Sequence, residues 1–133
     1  MVAERLLFID DHEDSRILVK FILENKTDWK VLTACDGIEG VTKAEIERPD
    51  VILLDFIMPD LDGLAVLDIL KSNLFTCSIP VIFITAMVHT KFLNQLENTL
   101  AEGIITKPFD AINLDSQIAE ICQWDIVDRL KVN

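Results

Sequence analysis

The sequence predicts an α/β fold: a doubly wound five-stranded parallel sheet with helices packed on both faces. Two observations carry this. Short apolar runs alternate with segments of helical period five times along the 133 residues. Three of the runs, inside 5–9, 50–55 and 80–85, are apolar throughout rather than at every second residue. Strands that read this way are buried on both faces, which is the rule in parallel sheets. Right-handed crossovers between parallel strands then put helices on both sides.

Taken in order, "RLLFI" (5–9) is a short buried strand. "SRILVKFILEN" (15–25) is a helix whose inward stripe is expected to be Ile17, Leu18, Phe21 and Ile22. "WKVLTA" (29–34) is a strand, and "DGIEGVTKAEIE" (36–47) a weaker helix with Ile38, Val41 and Ile46 inward. Pro49 ends that helix, and "DVILLD" (50–55) is the most apolar strand. "DGLAVLDILKS" (62–72) is helical, with Leu64, Leu67 and Leu70 at helical spacing. "PVIFIT" (80–85) is a strand, "VHTKFLNQLENTL" (88–100) a helix, and "GIIT" (103–106) a short strand. "DAINLDSQIAEICQW" (110–124) is a helix, with Asp110 as its expected N-cap.

The chain is long enough for one domain and one core. No linker, low-complexity stretch or close repeat divides it. Its formal net charge of −11 argues against nucleic acid and against anionic membranes as partners, because both repel such a surface. No apolar run approaches the ~20 residues of a bilayer span, and the N-terminus has no secretory h-region. Cys35, Cys77 and Cys122 are odd in number and far apart, with no CxxC pair. They are expected to be reduced, inert thiols of a cytoplasmic protein.

In such a sheet, ligands bind outside the carboxyl ends of the strands. Strand 1 ends in Asp10 and Asp11, strand 3 in Asp55, strand 4 in Thr85, and strand 5 in Thr106 and Lys107. Strand 2 ends blandly, in "TACDG". Parallel pairing brings three carboxylates, a hydroxyl and an ammonium to one edge. Clustered carboxylates call for a cation. Oxygen donors with open positions suit Mg²⁺, which keeps waters and favours phosphate groups. Lys107 offers a point charge and Thr85 a hydroxyl donor to a phosphoryl group. Asp55 is then the candidate nucleophile, since carboxylates form aspartyl-phosphates. Taken singly, each strand-end Asp has the simpler reading of a helix cap or turn former. His12, beside Asp11, could ligate a metal, but no second His is near it and the simpler reading is a solvated loop residue; His89 has the simpler reading of a surface one. "PDLDG" (59–63) lacks the remaining ligands of a calcium loop. A phosphohydrolase would need a second acid two residues beyond Asp55, where Ile57 stands.

Together, "DD" at 10–11, "LLDFIMPDLDG" at 53–63, "FITA" at 83–86 and "TKPF" at 106–109, with Arg16 and "DG" at 36–37, resemble the receiver domain of two-component response regulators over roughly residues 4 to 123. The resemblance implies a flavodoxin-like (βα)5 fold with strand order 2-1-3-4-5. It implies Asp55 as phosphoacceptor, Asp11 as a direct Mg²⁺ ligand, Asp10 as a ligand through water, and the Ile57 backbone carbonyl facing the metal. Thr85 would bond the phosphoryl oxygen and Lys107 pair with it. Pro108 would follow a bond that is often cis, and Pro59 and Gly63 would shape the loop after Asp55. The implied function is a signalling switch, not a metabolic enzyme. Its phosphoryl donor would be a sensor histidine kinase or a histidine phosphotransfer protein. Its output would be a downstream protein target or the next member of a phosphorelay.

Two positions depart from the family. Ile104 stands where an aromatic usually serves as a rotating readout, and Leu100-Ala101 replaces Gly-Ala. Stiff, β-branched Ile104 is expected to stay buried in both states, leaving Thr85 and the segment containing Phe92 and Leu96 to carry the signal. Ile57 and Met87 flank the site and cannot activate a water, so the phosphoryl group should be lost slowly. With a receiver over 1–124, the tail 125–133 leaves no room for an output domain. From Trp124 onward the tail is expected to extend the last helix, with Trp124, Val127 and Leu130 forming an apolar edge suited either to a weak homodimer or to folding back over the protein's own core.

Overall fold

The computed structural model describes residues 4–86, 94 and 99–124. Within them the strands are β1 (Arg5–Ile9), β2 (Lys30–Ala34), β3 (Val51–Asp55), β4 (Val81–Thr85) and β5 (Gly103–Thr106). The helices are α1 (Glu13–Lys26), α2 (Gly37–Glu47), α3 (Gly63–Lys71) and α4 (Leu114–Cys122). The strands form one sheet in the order β2-β1-β3-β4-β5, with all four pairings parallel. Fold class and strand order are those the sequence implied. The helix expected over 88–100, with Met87, His89, Phe92 and Leu96, lies outside the described residues apart from positions 94, 99 and 100. The tail 125–133 lies outside them too.

Alternate residues of each strand enter opposite layers, the period-two rule of a strand. Leu7, Ile9, Ile52 and Leu54 join Val66, Leu67 and Leu70 of α3 on one face. Leu6, Phe8, Val51 and Leu53 join Val19 and Leu23 of α1 and Leu114 and Ile118 of α4 on the other. Every residue of β3 and β4 is buried, as unbroken apolar runs require.

Two helix faces differ from expectation. In α1 the buried residues are Val19 and Leu23, whereas Ile17, Leu18 and Phe21 are exposed. The segment is apolar on two faces, and polar anchors decide between them. Glu24 Oε2 accepts from the Val31 amide at 2.9 Å, and Lys20 Nζ donates to the Val31 carbonyl at 2.9 Å. These bonds satisfy the outward backbone groups of Val31 on edge strand β2 and turn Val19 and Leu23 onto the sheet. In α2 the buried positions are Gly37, Gly40 and Ala44, while Ile38 and Ile46 are exposed. This helix meets the sheet along small residues, and a Cβ on Gly40 would lie 2.4 Å from Cδ1 of Ile9.

Helix ends follow local chemistry. Asp36 and Asp62 are the N-caps of α2 and α3, accepting from the amides of Glu39 and Ala65. Thr27 Oγ1 donates to the Leu23 carbonyl and accepts from the Trp29 amide, which closes α1. Asp110 does not cap the last helix. Its carboxylate accepts from the Ile112 amide and the Asn113 side chain, which builds a separate turn, and α4 starts only at Leu114. Nor does α4 run to Trp124. Gln123 takes a left-handed φ of 59°, and the Trp124 amide donates back to Ala119. Trp124 then meets Trp29 edge to face at 5.2 Å. The three cysteines are free thiols. Burial pushes Cys122 up to about 12, so it is not a thiolate at neutral pH.

The α2 contact makes a test. Gly40→Ala gains helix propensity of about 1 kcal/mol but forces a methyl into Ile9, an overpacking cost of about 1–3 kcal/mol. Urea unfolding should show a net loss, and adding Ile9→Val, which removes Cδ1, should restore part of it. A Gly40→Ala protein more stable than the parent would show that the helix can back away freely.

Candidate functional site

Register brings the site together. Ile9 lies opposite Leu54, so the next residues, Asp10 and Asp55, are neighbours at the carboxyl edge. Thr85 pairs with Thr106, and the Lys107 amide donates to the Thr85 carbonyl at 2.7 Å. The Lys107–Pro108 bond is cis. The carboxylates of Asp10, Asp11 and Asp55 and the imidazole of His12 each offer an atom, and all four lie within 4.8 Å of one another. A cavity of about 510 Å³ opens above them, lined among others by Asp11, Asp55, Met58, Thr85 and Lys107.

The capping alternative for the acid pair does not hold. The N-cap of α1 is His12, with no side-chain cap bond. Asp10 is instead wholly buried, and its carboxylate is ringed by nitrogen atoms. Lys107 Nζ stands 2.8 Å from Oδ2, and the His12 amide and ring Nδ1 stand 2.8 and 3.1 Å from Oδ1. Arg16 Nη1 donates to the Asp10 carbonyl at 2.7 Å. Lys107 is nearer to Asp10 than to Asp55, whose Oδ2 is 3.7 Å away.

Asp55 is 5% exposed. Burial pushes its pKa up to about 6; Lys107 pulls it down, and Asp10 adds to the rise. Its Oδ1 accepts a long bond of 3.4 Å from the Ile57 amide. Asp11 Oδ1 is buried without a hydrogen bond, with His12 Nδ1 3.2 Å away. Three crowded carboxylates, one with an unanswered buried oxygen, are a donor set that fits a hard divalent cation.

The loop after β3 is held at both ends. The Gly63 amide donates to the Phe56 carbonyl at 2.7 Å, and a Cβ there would meet the Phe56 Cα at 2.8 Å, so only glycine allows this closure. Asp60 accepts from the amides of Gly37 and Ile38, each at 3.1 Å, which ties the loop to the start of α2. Asp10, Asp11, Asp55, Ile57, Thr85 and Lys107 thus all reach the one site. Ile104 does not: it is half-buried on β5, opposite Phe83 and packed on the α3-side core. Sequence reasoning set His12 aside as a solvated loop residue and missed Asp60. An Asp two residues before an amide it can bond was a legible turn signal for His12. The partner of Asp60, over twenty residues away in sequence, left no local mark.

The family model described as "Response regulator receiver domain" matches residues 6–119. The chain belongs to this family. A receiver domain is a signalling phosphoacceptor that works with histidine kinases, rather than a classical enzyme. Among curated relatives, the alkaline phosphatase synthesis transcriptional regulatory protein PhoP of Bacillus subtilis is 34% identical over 119 residues, 89% of this chain and 48% of that protein. The response regulator PleD of Caulobacter vibrioides is 33% identical over 98% of this chain and 29% of its own length. The chain therefore spans less than half the length of these curated relatives. Among solved structures, the chemotaxis protein CheY4 of Vibrio cholerae superposes with a TM-score of 0.83 at 25% identity, covering 90% of this chain and 99% of that one. Among the described residues, no helix of this receiver domain is long and apolar enough to cross a membrane.

The electrostatics of this receiver domain predict a pH dependence. Asp55 has a folded pKa near 6, against 3.8 for the free group. Its stabilising contribution is therefore complete below about pH 4 and lost as pH rises through 6. Metal-free Asp55→Asn should melt above the parent at pH 7.5, by on the order of 2 kcal/mol. The gap should close on acidification to pH 4. Equal melting temperatures at pH 7.5 would mean that the cluster bears no such strain.

Proposed function

We propose that this receiver domain takes a phosphoryl group on Asp55 from a phosphohistidine donor, with Mg²⁺ bound at the acid cluster, and that the adduct switches its affinity for a protein target or a further relay partner. The observation that carries this is the setting of Asp55: nearly buried, lining one cavity with Thr85 and Lys107, and 3.7 Å from the Lys107 ammonium. Asp10, Asp11, Asp55 and the Ile57 carbonyl would hold the ion, which when bound would neutralise the phosphoryl oxygens. The Asp55 carboxylate oxygen attacks phosphorus. The new O–P bond forms as the P–N bond to the donor imidazole breaks, and the bonding pair leaves with that nitrogen. Lys107 moves its charge from Asp10 toward the incoming oxygens. The Thr85 hydroxyl donates to one of them. Free thiols and a kinase donor fit a cytoplasmic setting.

The output follows from what surrounds Thr85. Its reorientation toward the phosphoryl group would alter the segment after it, while Ile104, held against the core by a stiff branched side chain, stays in place. Thr85 is thus the moving part of the switch and Ile104 the fixed one. A few kcal/mol of differential contact is enough to shift such a two-state population.

Acetyl phosphate with Mg²⁺ should give one phosphoryl adduct by intact mass, mapped to Asp55, with none when chelator replaces Mg²⁺. Undiminished labelling of Asp55→Asn would overturn the assignment. The lifetime of the adduct makes a separate test. Ile57 is 58% exposed beside the site and offers no group to orient water. Ile57→Glu or Ile57→Asn should therefore shorten the lifetime of phosphorylated protein measured by loss of label, and an equal or longer lifetime would refute this role.

A further inference from the structure

We propose that His12 is a further side-chain donor of the cation pocket, and that its Nδ1, set against Asp10 and Asp11, biases the pocket toward imidazole-binding divalent metals over Mg²⁺. The inference rests on the cation reading above and goes beyond it in naming a nitrogen ligand. Nδ1 lies 3.1 Å from Asp10 Oδ1 and 3.2 Å from Asp11 Oδ1. Neighbouring ligands on an octahedral ion with bonds of about 2.1 Å are about 3 Å apart, so these spacings match an edge of that polyhedron. The backbone holds the residue there. His12 is the N-cap of α1, and its amide donates to Asp10 Oδ1 at 2.8 Å. Asp11 Oδ1, buried without a hydrogen bond, lies on the same side of the pocket as the ring.

The ring is 66% exposed, so little desolvation opposes its use as a ligand. Coordination through Nδ1 needs the single ring proton on Nε2, and solvent can carry that exchange. Three carboxylates with an imidazole make a different donor set from three carboxylates with water. Mg²⁺ gains little from nitrogen, because it prefers oxygen and keeps its waters. Co²⁺ and Ni²⁺ gain more, following their higher intrinsic affinity for imidazole.

The experiment compares Co²⁺ and Mg²⁺ affinities by isothermal titration on the full chain and on His12→Gln and Asp11→Asn. Gln keeps a neutral side chain that can still donate to the acid pair. His12→Gln should weaken Co²⁺ by at least about tenfold and leave Mg²⁺ nearly unchanged. Pulsed EPR of the Mn²⁺-loaded protein should show nitrogen coupling that disappears in His12→Gln. An unchanged Co²⁺-to-Mg²⁺ ratio, or Mn²⁺ spectra without nitrogen coupling, overturns the inference while leaving the cation site itself standing. Binding of both ions undiminished in Asp11→Asn overturns the cation reading and this one with it.

Discussion

A carboxylate with no exposed surface is the constraint around which this molecule is arranged. Asp10 sits at the end of β1 where water cannot reach it. A buried charge survives only when paired and hydrogen-bonded, and each group that meets this need comes from a different part of the chain. Its amide donates to the Ala34 carbonyl at the end of β2. Its carboxylate takes the His12 amide, at the start of α1, and Lys107, just past β5. Its carbonyl takes Arg16 from the first turns of α1. The ends of the sheet are thus laced to one side chain, and Asp55 is left beside it with an ammonium already shared. Desolvation and repulsion win over that shared charge, which is why the Asp55 pKa rises rather than falls.

How much of this was legible depended on whether local pattern or distant geometry decided the matter. The strands were legible because burial on both faces leaves unbroken apolar runs, and their edges fell within a residue of expectation. Strand-end convergence then brought Asp10, Asp11, Asp55, Thr85 and Lys107 to one edge on sequence pattern alone. The faces of α1 and α2 were legible only in part: Val41 of α2 packs on the core as expected, but its larger neighbours do not. In α1, Val19 and Leu23 competed with an equally apolar stripe, and Lys20 and Glu24 chose between them by reaching β2. In α2 the contact surface is made of Gly37, Gly40 and Ala44, which hydrophobic weighting passes over in favour of larger Ile38 and Ile46. Asp110 shows the same limit at a helix end: an Asx turn and an N-cap draw on one residue type.

Aspartate does several distinct jobs here, and only geometry separates them. Asp36 and Asp62 cap helices, where a carboxylate at the surface or half-buried meets free amides and a favourable dipole. Asp60 reaches across to the α2 amides from another loop and so couples the segment after Asp55 to that helix. Asp11 and Asp55 bind no helix end, and Asp10 reaches only the amide of the N-cap residue His12. They accept the mutual repulsion that the capping residues avoid, and a cation is the natural answer to it. The acidic balance of the chain is therefore only partly a matter of surface solubility.

The outer edge of β2 has a consequence for how this protein can assemble. Its outward Val31 amide and carbonyl are taken by Glu24 and Lys20, and the Thr33 carbonyl accepts from Lys43 Nζ at 2.5 Å. A strand arriving there would meet ammonium and carboxylate groups in place of a free backbone ladder. On that side the edge is blunted as a template for fibrous growth, and a protein that docks there meets side chains first.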